Sequence, residues 1–275
     1  MATSDCKLTI LGGNGWIPAF NRHTCCYALE LGDYLFIFDL GSGACRLGEL
    51  YPPEKLMSFK EIHIFLSHYH LDHITGITYL PLYLKGCRVT IFGPGKNIYG
   101  KSTEEILSAH LEKPYFALPL ADYPMDLAFV DIALGKNEIA GVEISTLLQS
   151  HSDPTIGYRL NDHLAYITDT ACSPDTIDFV DGTNILLHET WFDNLEYTTL
   201  SSNNGSVTED VSIALRSHAN IDWVMHVAKK AQINTLVLIH LNPSYNDERL
   251  RGMLAYAKRS FMKTYLALDG TTILI

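Results

Sequence analysis

Short apolar runs, broken by glycine or polar residues, recur along the whole chain, and most are too short for helices. Residues 7–11, 26–31 and 34–39 predict an opening meander, with Gly32-Asp33 as a tight hairpin turn. Residues 62–66 predict a strand that feeds directly into a polar cluster, followed by a helix over 72–83 with Asp72 suited to its start. A strand over 89–92 is stopped by Gly93-Pro94-Gly95, and a helix is expected over 102–112. Residues 113–140 are the least regular stretch. In the second half the expected strands are 142–148, 156–160, 164–168, 185–187 and 236–239, with 156–160 and 164–168 paired as a hairpin. Helical periodicity occupies 207–216, 221–231 and 246–262. Two halves of strands, with helices between and after them, predict an α/β (α+β) architecture of two mixed sheets packed face to face with helices outside.

Composition narrows the class. The chain has 275 residues, enough for one large domain over residues 1–275, and 47% hydrophobic against 19% charged content suits a soluble globular protein. No apolar run reaches the length that spans a bilayer, and the start lacks a basic region followed by an apolar stretch, so neither membrane nor secretion is expected. Six scattered cysteines without metal or framework spacing suit reduced thiols in a cytoplasm, with Cys172 expected as a small buried residue. The net charge of −11 argues against extended nucleic acid as a partner. Lys229, Lys230, Arg249, Arg251, Lys258, Arg259 and Lys263 are the nearest thing to a basic patch, and a solvated helix face accounts for them.

Candidate chemistry concentrates in Ser67-His68-Tyr69-His70-Leu71-Asp72-His73, which reads His-x-His-x-Asp-His. Imidazole and carboxylate are ligands for zinc, iron and manganese, and burying such a cluster without a cation would leave polar groups unsatisfied. His68 and His70, two apart on a loop, can reach one ion, and Asp72 and His73 a second. Asp169 is placed as a bridging carboxylate, with His151 completing the first ion and His240 the second. These residues fall at or just beyond the C-terminal ends of expected strands, where α/β sheets place their sites. Two ions about 4 Å apart can share a hydroxide that is a good nucleophile at neutral pH.

The set resembles the metallo-beta-lactamase superfamily in Leu11-Gly12-Gly13-Asn14-Gly15, in Phe38-Asp39-Leu40-Gly41-Ser42-Gly43, in the histidine motif and in the order of His151, Asp169 and His240. Within it, the chain resembles the ribonuclease Z-like phosphodiesterase branch. The residues that carry this are Gly12 to Arg22, Gly93-Pro94, His188-Glu189-Thr190, Ser217-His218-Ala219 and Leu241-Asn242-Pro243-Ser244-Tyr245. The resemblance implies a four-layer αββα sandwich and two divalent metal ions, zinc foremost, with manganese or iron also suited to the donors. It implies catalytic roles for Asp72, Glu189 and His218, the last two as a proton relay in which His218 protonates the leaving oxygen. It also implies a homodimer.

Two departures turn the expectation away from transfer RNA. His151 and Asp169 are only 18 residues apart, which leaves no room for the branch's RNA-holding arm. Ser244 and Ser217 replace an arginine and a glycine of its motifs. The expected substrate is therefore a small or cyclic phosphodiester. The alternatives are an acyl substrate (thioester, lactone or beta-lactam), transfer-RNA 3′-end cleavage, or a metal-containing binding protein without catalysis. The remaining histidines, His23, His63, His110, His163 and His226, have no motif context and read as structural, as does His188. Arg22 could meet a phosphate or a core carboxylate, and Tyr158 and Tyr245 read as packing residues.

Overall fold

A computed structural model describes residues 6–202 and 207–274. The described residues divide into two compact units, one of residues 6–13, 22–133 and 268–274 and one of residues 14–21, 134–202 and 207–267. Each is built on a seven-stranded mixed sheet.

The first unit contains β1 (Lys7–Gly12), β2 (Cys26–Leu31), β3 (Tyr34–Phe38), β4 (Glu61–Phe65), β5 (Arg88–Gly93) and β6 (Asp126–Asp131). The second contains β7 (Gly135–Ile139), β8 (Val142–Gln149), β9 (Thr155–Leu160), β10 (Leu164–Ile167), β11 (Ile185–Glu189), β12 (Thr235–Ile239) and β13 (Thr264–Leu266), and β14 (Thr272–Leu274) returns to the first. The strand orders are β14-β1-β2-β3-β4-β5-β6 and β13-β12-β11-β10-β9-β8-β7. Antiparallel pairs give way to parallel ones at β3–β4 and at β10–β11.

The central strands are apolar on both faces, as parallel strands covered on both sides must be. Along β3 and β4, Leu35, Ile37, Ile62 and Ile64 join a cluster with Leu47, Leu56, Ile77 and Leu80 from the helical segments of the unit. The alternate positions stack as rings, with Phe36 to Phe65 at 6.1 Å and Phe65 to Phe92 at 4.9 Å between centroids. In the second unit Ala165, Ile167, Leu186, Leu236 and Leu238 pack with Ile221, Val224, Val227 and Ala228 of the helix Ile221–Lys230. The spacing of those helical residues is one amphipathic stripe, and Asn220 caps the helix by accepting from Trp223 N–H.

Two sequence expectations are corrected. The helix expected over 72–83 is three short pieces, Leu71–Ile74, a 3₁₀ turn Thr75–Tyr79, and Leu80–Tyr83. Gly76 N–H donates to Leu40 O instead of a helical carbonyl, and Pro81 has no N–H to give. A side chain at Gly76 would also meet Gly41 O and Ala44 Cβ at 2.5 Å, so this backbone is pressed against the turn after β3. Residues 113–140 are more regular than expected, since they contain β6 and β7. The helix expected over 102–112 is found as Thr103–His110, held by a capping box between Ser102 and Glu105. Among the described residues no helix is long and apolar enough to cross a membrane.

Candidate metal centre

In the first unit the chain leaving β4 carries His68, His70, Asp72 and His73 within six residues. The rings of His68 and His70, and of His68 and His73, lie 4.4 Å apart between centroids. Sequence reasoning gave Asp39 no role, yet it organises this cluster. It sits at the end of β3 with φ 56, a left-handed conformation that non-glycine residues seldom adopt. Its carboxylate accepts from Ser67 N–H at 2.7 Å, from Ser67 Oγ at 2.8 Å and from His73 Nδ1 at 2.7 Å. Ser67 Oγ spends its proton on Asp39, so it accepts from His68 Nδ1 at 3.0 Å. Both imidazoles therefore hold their proton on Nδ1 and present a lone pair at Nε2, the tautomer of a ligating histidine. His73 Nε2 lies 3.2 Å from Asp72 Oδ2. A lone pair facing a carboxylate oxygen is repulsive unless a cation lies between them. The expectation that Asp72 begins the helix is met within the first turn, where Asp72 is the second residue after the cap His70.

In the second unit the corresponding residues come from separate strand ends. His151 follows β8, Asp169 follows β10, Glu189 ends β11 and His240 follows β12. Asp169 and His240 have φ 45 and 47, the same left-handed turn as Asp39. His151 donates Nδ1–H to Ser217 O at 3.0 Å and directs Nε2 at Asp169 Oδ1, 3.5 Å away. His240 Nε2 lies 3.2 Å from the same oxygen, with Nδ1 3.5 Å from Glu189 Oε2. Thr168 Oγ1 donates to the other oxygen of Asp169 at 2.6 Å and fixes its plane. Burial, only partly opposed by Asp169, lowers the pKa of His151 and keeps it in the neutral, ligating form. Two imidazole nitrogens thus converge on one carboxylate oxygen, where the first unit sets a single imidazole nitrogen, His73 Nε2, against Asp72. This donor set fits divalent cations.

Glu189 is fully buried. Its Oε1 accepts from Thr170 N–H at 2.8 Å and Ala219 N–H at 3.0 Å, and its Oε2 pairs with His218 Nδ1 at 2.8 Å. Burial pushes its carboxyl pKa up, but His218 and the hydrogen bonds prevail and hold it below the usual range. Glycine is required at position 15, where Gly15 N–H donates to Leu241 O and an added Cβ would lie 2.3 Å from a ring carbon of His240. Trp191, which sequence reasoning also passed over, stacks on His218 at 4.6 Å and 15° and lies 5.4 Å from His240. The signal available was the place of Asp39 inside the Phe38–Gly43 motif and of Trp191 two residues after Glu189.

His188 and His63 are buried within strands, as read. His23 lies against Ser42 Oγ and Cys45 Sγ, and Arg22 is buried. Tyr158 and Tyr245 are fully buried, and Tyr245 OH donates to Glu196 at 2.6 Å. Arg249 of the basic patch is tied to Asp193 at 2.6 Å and lies 3.6 Å over the Tyr245 ring. Cys172 is exposed rather than buried, because it follows Asp169 in the loop leaving the sheet.

A family model for the beta-lactamase superfamily domain matches residues 46–241. A ribonuclease Z of Porphyromonas gingivalis is 23% identical over 94% of this chain and 95% of its own. The metallo-beta-lactamase fold protein YhfI of Bacillus subtilis superposes with a TM-score of 0.72 at 22% identity, covering 99% of this chain and 100% of that one. A structure described as a new diphosphatase from the PhnP family gives 0.68 at 17% identity, covering 99% and 98%.

Proposed function

Because the chain belongs to the beta-lactamase superfamily, we propose that it is a metal-dependent phosphodiesterase that cleaves a small or cyclic phosphodiester. Its fold is the metallo-beta-lactamase α/β sandwich. The assigned ligands are His68, His70 and His151 for one divalent ion, Asp72, His73 and His240 for a second, and Asp169 for both. Zinc is the assigned metal, since imidazole-rich donor sets with few carboxylates suit it. The observation that carries the reading is the convergence of His151 and His240 Nε2 on Asp169 Oδ1, supported by the single His73 Nε2 that faces Asp72.

When bound, the ions polarise the phosphoryl group and activate water at neutral pH. The chain's own residues do the rest. Asp39 and Ser67 fix the tautomers of His73 and His68. Glu189 holds His218 by Nδ1, which leaves Nε2 to carry the proton given to the leaving oxygen. Two backbone N–H groups and a histidine all bind Glu189, so the base of the relay is rigid before substrate arrives.

A small substrate is favoured over transfer RNA by three observations. The segment between His151 and Asp169 is the plain hairpin of β9 and β10, the net charge is −11, and Arg249 is already committed to carboxylates. None of the six cysteines is in a disulfide, which fits a reducing compartment such as the cytoplasm.

The test is hydrolysis of bis(p-nitrophenyl) phosphate by protein loaded separately with zinc and manganese, with Asp72→Ala as control. Turnover that disappears in the control is the expected result. Inertness toward this ester with both metals bound, together with turnover of a thioester or lactone, would replace the phosphodiester reading with the acyl one.

A further inference from the structure

We propose that Trp191 is a positioning residue for His218, setting the direction in which the relay proton is delivered; this rests on the phosphodiesterase reading above. Glu189 restrains His218 at one atom only, Nδ1. A single hydrogen bond in the ring plane leaves the imidazole able to swing about that contact, which would carry Nε2 off its line to the leaving oxygen. Three rings limit the swing. His151 meets His218 edge-on at 4.9 Å and 65°, His240 lies at 5.4 Å and 18°, and Trp191 covers it at 4.6 Å and 15°. The last is the shortest and most nearly parallel of the three, within the range of offset stacking. His151 and His240 are assigned to metal, so Trp191 is the one of the three whose contact serves no ligand.

The backbone makes this contact a built one. Trp191 N–H donates to Ala219 O at 3.1 Å, the residue after His218. Phe192 forms a parallel bridge with Asn220, whose side chain caps the next helix. Trp191 follows Glu189 by two residues, so one short segment delivers both the carboxylate that grips Nδ1 and the plane that stops rotation. A merely structural tryptophan would need neither the parallel orientation nor this register.

The distinguishing experiment uses metal-loaded protein and two diesters, one with a p-nitrophenolate leaving group and one with an alkoxide. His218 assists only the poorer leaving group appreciably. Trp191→Ala is expected to lower kcat on the alkyl ester by about tenfold to a hundredfold, with KM and metal content unchanged and little effect on the nitrophenyl ester. Trp191→Phe should restore most of the loss. The double variant Trp191→Ala/His218→Ala should be no slower than His218→Ala alone, and in metal-free protein the two changes in Tm should be non-additive. A loss shared equally by both esters, or additive with His218→Ala, overturns the proposal. If His218→Ala itself left the alkyl ester unaffected, the relay reading would be the part that failed, and Trp191's role would fall with it. Should Trp191→Ala fail to fold, Trp191→Leu carries the same comparison.

Discussion

The two units supply the proposed metal centre in opposite ways. The first places four donors within six consecutive residues, so one loop conformation delivers them all. The second draws His151, Asp169, Glu189, His218 and His240 from five places spread over 90 residues of sequence, four at strand ends and His218 at the end of the helix Glu209–Ser217, and only the folded unit brings them together. Yet the finished halves share one device. In each, an imidazole shows Nε2 to a carboxylate while Nδ1 is held by a second acceptor. A contiguous motif and a dispersed one thus reach the same electrostatic end. The contiguous one depends on local conformation, and the dispersed one on the integrity of a sheet.

The most severe way to break the comparison is to remove the cations, or the ligand assigned to both. Chelation, or Asp169→Ala, should lower phosphodiester hydrolysis by at least about a thousandfold, with activity after chelation restored by added zinc. If Asp169→Ala retained activity and metal, the dispersed half would not be a ligand set. Next in size, His218→Ala should slow an alkyl phosphodiester by about 10²–10⁴-fold. Asp39→Asn sharpens the contrast from the other side. The contiguous half looks self-sufficient in sequence, but its geometry hangs on this buried carboxylate from a different strand. Metal affinity, measured by competition with a chelator, should weaken about 10–100-fold. Gly15→Ala should act on the dispersed half alone, by displacing the His240 ring, at about the lower end of that range; Gly252→Ala, in open space and without a left-handed backbone, is the control for affinity.

The smallest effect separates a histidine inside a strand from those beyond strand ends. His63 is enclosed by Tyr34, Phe36 and Phe92, and burial lowers its pKa despite Glu61 nearby. The unfolded chain therefore binds a proton at this position first as pH falls through about 6.5, so folding stability is intact above that value and declines below it. His63→Phe should flatten the fall of unfolding free energy between pH 7 and 5, measured by denaturant titration, by no more than about 1.4 kcal/mol per pH unit. An unchanged slope would show that His63 is not the group responsible.

Reading the sequence succeeded where a strand is surrounded and failed where it is not. The interior strands β1 to β5 and β8 to β12 were legible, because apolar runs betray the ones buried on both faces and alternation betrays β8, whose outer face is open. The four strands that escaped, β6, β7, β13 and β14, are the four sheet edges. Gly135–Ile139 is Gly-Lys-Asn-Glu-Ile and largely exposed, so it has no pattern to find; its strand character comes from pairing with β8 alone. The site followed a similar rule. All nine assigned side chains were visible as motif residues. Asp39 and Trp191 were not given roles, because each acts through a neighbour that only the fold supplies.

Asp39, Asp169 and His240 share one more property. Each twists its backbone into a conformation that favours glycine, at the point where a strand ends and a side chain of the proposed site turns aside. The protein has accepted that penalty three times at its centre and could shed it by accepting glycine there. Asp169→Gly and His240→Gly would thus be expected to lose function while recovering part of the backbone strain. A search for thermostable variants that did not score turnover would be drawn toward such inert proteins, and selection for stability alone would dismantle the site from its strand ends inward.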